Sequence, residues 1–144
     1  MKILNLKRIF LKFSLLHVLH ASAGVVADTL YFEARSESER GLRAVATVIY
    51  NRSQNMGKTF EAVCLQPFQF RCWNTSRTRK IAPKGRSDVK AYNLCLQIEN
   101  ELLKGNFKPL GDWNHYYNPR LCSPKWARGV ECVQIGSHVF LTLP

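Results

Sequence analysis

Apolar residues return every fourth position between residues 25 and 35, at Val26, Leu30 and Ala34, which is the spacing of one helix face. Ser36-x-x-Glu39 then fits a capping box and predicts a helix boundary. The helix after it runs to about Gln54, with Leu42, Val45, Val48 and Ile49 on one face and Arg40, Arg43 and Arg52 off it. A short helix is predicted over Phe60 to Leu65. Another runs from Asp88 to Lys104, capped by Ser87 and stopped by Gly105, with Val89, Tyr92, Cys95, Leu96, Ile98, Leu102 and Leu103 at helical spacing. The period changes in the last third. His115-Tyr116-Tyr117, Cys132 to Ile135 and His138 to Leu141 read as strands, the last two joined as a hairpin by Gly136-Ser137. Helices first and a small antiparallel sheet late make the class α+β, mainly helical.

The segment 66–87 breaks the pattern. It holds Pro67, Pro83 and Gly85 and few aliphatic residues, so a long functional loop is expected. Arg71, Arg77, Arg79, Lys80, Lys84 and Arg86 concentrate there. The whole chain of 144 residues has 21 Lys and Arg against 10 Asp and Glu, a formal charge of +11. The length suits one domain and argues against a large two-domain cofactor enzyme. The charge points to a polyanionic partner.

Residues 1–23 carry Lys2, Lys7, Arg8 and Lys12 and no acid, so +4 of the +11 lies there and +7 remains on 24–144. A short apolar stretch from Phe13 to Ala23 follows and ends in Ala21-Ser22-Ala23. That layout predicts a signal peptide, or a membrane tether if it is not cleaved. The folded domain is then 24–144, expected in the periplasm, the cell wall or the medium. Export would allow disulfides. Cys64 with Cys72 and Cys122 with Cys132 are the locally closable pairs, and Cys95 is expected as a buried thiol. The four histidines form no ligand cluster with the cysteines, so neither a metal nor another cofactor is expected.

The chain has no G-x-S-x-G nucleophile elbow and no phosphate-cradling G-x-x-x-x-G-K. Among the carboxylates, Glu61, Glu99 and Glu101 sit on helices among polar residues and are expected on solvated faces. Asp112 and Glu131 fall in loops. Glu33 differs, because it follows Leu30-Tyr31-Phe32 on an apolar helix end. Packing against Tyr31 and Phe32 would partly desolvate it and favour its protonated form, as a general acid requires. An ion pair with Arg35, Arg40 or Arg43 is the structural alternative. Glu37 lies four residues on, a possible second carboxylate one turn further if the helix continues. Aromatic residues stand beside amides in 69–74 and 113–118, a pairing that suits sugar rings or stacked bases. The rival to an enzyme is therefore a basic secreted module that binds nucleic acid or membrane.

Leu30-Tyr31-Phe32-Glu33-Ala34-Arg35-Ser36-Glu37 resembles the Y-x-E-A-R-x-E signature of the spore-cortex-lytic (SleB-type) cell wall hydrolases. Gly41-Leu42-Arg43-Ala44-Val45-Ala46-Thr47-Val48-Ile49-Tyr50-Asn51-Arg52 resembles the family's G-x-x-A-V-A-x-V-I-x-N-R helix. Gln66-Pro67-Phe68-Gln69-Phe70 is similar to its Q-P-x-Q-F element. Tyr116-Tyr117-Asn118-Pro119, Pro124-x-Trp126-Ala127 and Ile135-Gly136-Ser137-His138-Val139-Phe140 resemble its closing segment. These motifs, in the family's order, cover roughly 26–141. Ser36 and Phe32 replace the commoner glycines, and the basic region 71–90 has no clear family pattern.

The resemblance implies a lysozyme-like fold and cleavage of the peptidoglycan strand between N-acetylmuramic acid and N-acetylglucosamine, with Glu33 as the catalytic acid. Gln69, Phe70, Tyr116, Tyr117, Asn118 and His138 are the expected substrate-binding residues, and Gln69, Tyr117 and Asn118 are candidates to hold acetamido groups. The scarcity of carboxylates favours a lytic transglycosylase over a two-carboxylate muramidase. Peptidoglycan is the expected partner, nucleic acid is not, and the protein is expected to be a monomer. A phage endolysin and a bacterial autolysin both fit.

Overall fold

The computed structural model describes residues 24–74, 83 and 85–144. The predicted signal peptide and the basic residues Arg77, Arg79, Lys80 and Lys84 lie outside the described residues.

The first helix, α1 (Val25–Ala34), is only ten residues long, too short to be stable alone. Val26, Ala27, Thr29, Leu30, Tyr31 and Ala34 are all buried, so neighbours surround it on most sides. Burying an aliphatic side chain such as Val26 or Leu30 contributes about 1.5–3 kcal/mol. The neighbours are α2 (Glu39–Met56), α3 (Phe60–Cys64), α4 (Arg71–Asn74) and α5 (Gly85–Leu103). Polar bonds fix their register on α1. The Tyr92 hydroxyl of α5 donates to Asp28 Oδ1 at 2.8 Å, and the Trp73 indole of α4 donates to Thr29 Oγ1 at 2.8 Å.

The boundary after α1 differs from the expected capping box. The Glu37 N–H donates to the Ala34 carbonyl at 2.9 Å and closes a turn over Arg35 and Ser36. The cap of α2 is therefore Ser38, whose side chain accepts from the Gly41 N–H. Helix α5 starts at Gly85, so Ser87 lies in its first turn rather than at its cap. First-turn N–H groups lack intrahelical partners, and polar residues suit that turn as well as the cap. The α4 turn falls inside the segment expected as loop. Four residues are too few for a periodic signal, and the bond from Trp73 to Thr29 holds the turn in place.

The late sheet is as expected: β1 (His115–Tyr117), β2 (Cys132–Ile135) and β3 (His138–Leu141), all antiparallel in the order β1-β3-β2. The central strand β3 is buried at all four positions. Two side chains at the end of α2 anchor the approach to β1. Asn51 Nδ2 donates to the Gly111 and Trp113 carbonyls at 3.0 and 2.9 Å, and Arg52 Nε donates to the Asn114 carbonyl at 2.7 Å. The Asn-Arg end of the second motif is thus a clamp between helix and sheet.

Neither locally closable cysteine pair is bridged, since Cys64, Cys122 and Cys132 are all thiols. Cys95 is a buried thiol as expected. Among the described residues no helix is long and apolar enough to cross a membrane.

Candidate active site

A cleft of about 840 Å³ opens between the end of α1, the 66–74 segment and the sheet. Helix α1 delivers Glu33 to its floor in the last turn before the Arg35-Ser36 turn. The side chain that meets Glu33 comes from β1: the Tyr116 hydroxyl donates to Glu33 Oε2 at 2.8 Å. Burial, and then the nearby Glu33 carboxylate, push the Tyr116 phenol well above its ordinary range. Tyr116 therefore keeps its proton and acts as a fixed donor.

The packing expected around Glu33 is only partly found. Phe32 shares the cleft wall with it. Tyr31 does not face it, because residues two apart on a helix point to different sides. Its ring lies in the core, edge-on to Tyr92 with centroids 5.5 Å apart. The alternative ion pair with an arginine is not formed among the described residues. Arg43 makes a two-pronged pair with Glu101 at 2.7 and 3.0 Å and bonds Glu39 at 2.8 Å. Arg35 lies over the Tyr31 ring, 5.4 Å from its centroid. Glu101 is thus paired rather than merely solvated, and Glu99 is buried rather than exposed.

Glu37 also lines the cleft, but its carboxylate is occupied. Helix α1 ends at Ala34, so the one-turn spacing from Glu33 does not apply. The Ser137 N–H donates to both carboxylate oxygens at 3.3 and 3.2 Å, and the Ser137 hydroxyl donates to Oε1. His138 Nδ1 stands 3.5 Å from Oε1, and the Glu37 side chain is only 9% exposed. The β2–β3 turn fits over this carboxylate because residue 136 is glycine. Its φ is +60°, and a Cβ there would stand 1.9 Å from Glu37 Oε2. Glu37 thus ties the hairpin to the bend after α1.

His138 sits beside Tyr116, with ring centroids 5.3 Å apart. Burial pushes its pKa below the ordinary histidine value, against the opposing pull of Glu37 and Glu33. A neutral ring at neutral pH follows.

Of the other expected site residues, Gln69, Tyr117 and Asn118 line the cleft. Phe70 does not. It is 1% exposed, in the core, with the Arg52 guanidinium 5.8 Å from its ring centroid. The side chain that reaches the rim from this motif is Phe68, 88% exposed and with φ at +63°, a conformation that costs a non-glycine residue energy. Leu121, 81% exposed, and Trp126 face the same opening. Trp126 packs edge-on to Tyr117 at 5.8 Å. Arg71 also lines the cleft, so one cation of the basic segment reaches the site. Sequence reasoning missed Phe68 and Arg52. Their only signals were an aromatic residue directly after Pro67 and the arginine that ends the second motif.

A carboxyl held at one oxygen by a tyrosine, in a groove with an aromatic rim, suits proton transfer to a bound sugar. The profile of the cell wall hydrolase family matches residues 36–141. Two solved structures are similar to the chain. One is the catalytic domain of the germination-specific lytic transglycosylase SleB from Bacillus anthracis, with TM-score 0.60 and 26% identity over 82% of this chain and 91% of that one. The other is the catalytic domain of the Bacillus cereus SleB protein, also with TM-score 0.60 and 26% identity, over 82% and 87%. No curated protein sequence matches.

Proposed function

Because this chain belongs to the cell wall hydrolase family and cleaves peptidoglycan, we propose that it acts as a lytic transglycosylase with Glu33 as its only catalytic carboxyl. The observation that carries this reading is the contrast between the two cleft carboxylates. Glu33 keeps one oxygen free of hydrogen bonds among the described residues, whereas both oxygens of Glu37 are taken by Ser137. Glycosidases that use water generally need two working carboxylates, and only Glu33 is available.

The bond from Tyr116 supports the following order of proton transfers. Tyr116 donates to Oε2, which leaves the acid proton of Glu33 on Oε1, directed to the glycosidic oxygen. The bond from the muramoyl C1 to that oxygen breaks as the proton moves, through an oxocarbenium-like state. Glu33 is then a carboxylate, and its bond from Tyr116 becomes charge-assisted and stronger. It next takes the proton of the sugar's own 6-hydroxyl as that oxygen closes on C1. The product is a 1,6-anhydro end, and no water is consumed.

Gln69, Tyr117 and Asn118 lie where they could hold acetamido groups. His138, neutral and edge-on to Tyr116, positions the tyrosine. A nucleic-acid or membrane module would leave the carboxyl on the cleft floor without a task. We also propose that residues 1–23 export the chain and are removed before Gly24. The +7 on 24–144 suits an anionic wall. Glu33→Gln tests the acid. Lytic activity on purified sacculi should fall about 10²–10⁴-fold with the fold intact. A folded variant with near wild-type activity would refute the assignment.

A further inference from the structure

Glu99 is a carboxylate that the cleft chemistry does not use. It is 3% exposed, on the face of α5 that also buries Cys95, Ile98 and Leu102. Its bonds run to the start of α1. The Gly24 N–H reaches both oxygens, at 3.0 and 2.9 Å, and the Val26 N–H reaches Oε1 at 3.0 Å. Among the described residues no lysine, arginine or histidine pairs with it. Burial pushes its carboxyl above the ordinary range, and the backbone donors only oppose that shift.

A buried carboxylate held by amides alone is a charge without a counter-charge, which protein interiors avoid. The partial positive charge at the start of α1 helps but is not a full cation. The Gly24 amide has one hydrogen to share between two acceptor oxygens. An ammonium on the same nitrogen would bring three hydrogens and a full charge. The residue before it is Ala23, the end of Ala21-Ser22-Ala23.

We propose that Gly24 is the N-terminus of the mature protein and that its α-ammonium forms a buried ion pair with Glu99. This rests on the export reading above. Water, used by a leader peptidase of the exporting cell, adds across the Ala23–Gly24 peptide bond and the C–N bond breaks. The departing leader keeps Ala23 as a carboxylate, and the Gly24 nitrogen takes up the protons to become –NH3+. Processing thus creates the missing counter-charge at the spot where the fold already holds the carboxylate. It also pins the first turn of α1, the helix whose last turn carries Glu33.

The test begins with the full chain produced in a secreting host. Intact mass and N-terminal sequencing give the first residue. The α-amine is then acylated with a limiting amine-selective reagent, in the native state and in urea, for wild type and Glu99→Gln. The expected chain begins at Gly24. Its amine reacts at least about tenfold more slowly in the native wild type than in urea, because a desolvated, paired ammonium is a poor nucleophile. Native Glu99→Gln recovers most of the rate. If that variant does not fold, the native and urea rates of wild type decide alone. A chain that begins elsewhere, equal native and urea rates, or a folded Glu99→Gln whose amine stays as slow as wild type would each overturn the proposal. None of these outcomes touches the wall-cleaving role of Glu33, which is read separately from the activity of Glu33→Gln.

Discussion

Glu37→Gln separates a structural carboxylate from a chemical one. In the wild type, Glu37 accepts the Ser137 N–H and hydroxyl while only 9% exposed. Hydrogen bonds to a charged group contribute about 1.5–3 kcal/mol each. Glutamine keeps one acceptor oxygen but points an N–H2 at the other donor, so about one such bond is lost. For a domain of this size about 1 kcal/mol corresponds to roughly 3–6 °C in Tm. Glu37→Gln should therefore melt about 5–15 °C below wild type by far-ultraviolet circular dichroism. Sacculus clearing, measured well below that melting point and corrected for the folded fraction, should stay within about tenfold of wild type, far from the loss expected for an acid–base residue. Ser137→Ala should show a similar but smaller drop, and the double variant should lose less than the two drops added, because the residues share one interaction. An unchanged Tm together with a 10²–10⁴-fold loss of clearing would place Glu37 in the chemistry and refute the reasoning.

Two further outcomes follow from the same geometry. Phe68→Gly relieves a left-handed backbone at an 88% exposed residue and should raise stability by about 1 kcal/mol by urea titration, while weakening sacculus binding; lower stability would show that the Phe68 side chain holds the fold. Burial lowers the pKa of both His138 and His115, so the unfolded chain binds more protons than the folded one. Their contribution to stability is thus complete above about pH 6.5 and is lost as pH falls through the folded values; urea midpoints at pH 7.5 and 5.5 should differ in that sense, and His138→Gln should reduce the difference.

The parts of the fold with a repeating pattern were legible in the sequence. The helices around Leu30, Val45 and Ile98 and the hairpin at Gly136-Ser137 follow from spacing and turn chemistry alone. Glu33 stood out because an apolar helix end rarely closes on a carboxylate. Its partner Tyr116 did not, since the two lie 83 positions apart and only the sheet register joins them. Phe68 and Phe70 are equivalent in composition, yet one is on the rim and the other in the core. What separates them is the left-handed turn at Phe68, which no periodicity announces. Glu99 was misread although the signal was present. It stands four residues after Cys95 and three before Leu102, which places it on the apolar face of its own helix.

The central claim is that a single carboxyl, Glu33, breaks the glycan strand without water, and the chemistry of the new chain ends tests it most directly. Purified sacculi digested to completion, in water enriched in oxygen-18, can be read by mass spectrometry of the released fragments. The account predicts 1,6-anhydro-muramoyl ends, each lighter by one water than a reducing end and free of oxygen-18. Reducing ends carrying oxygen-18 would mean that water attacks C1, and would contradict the account.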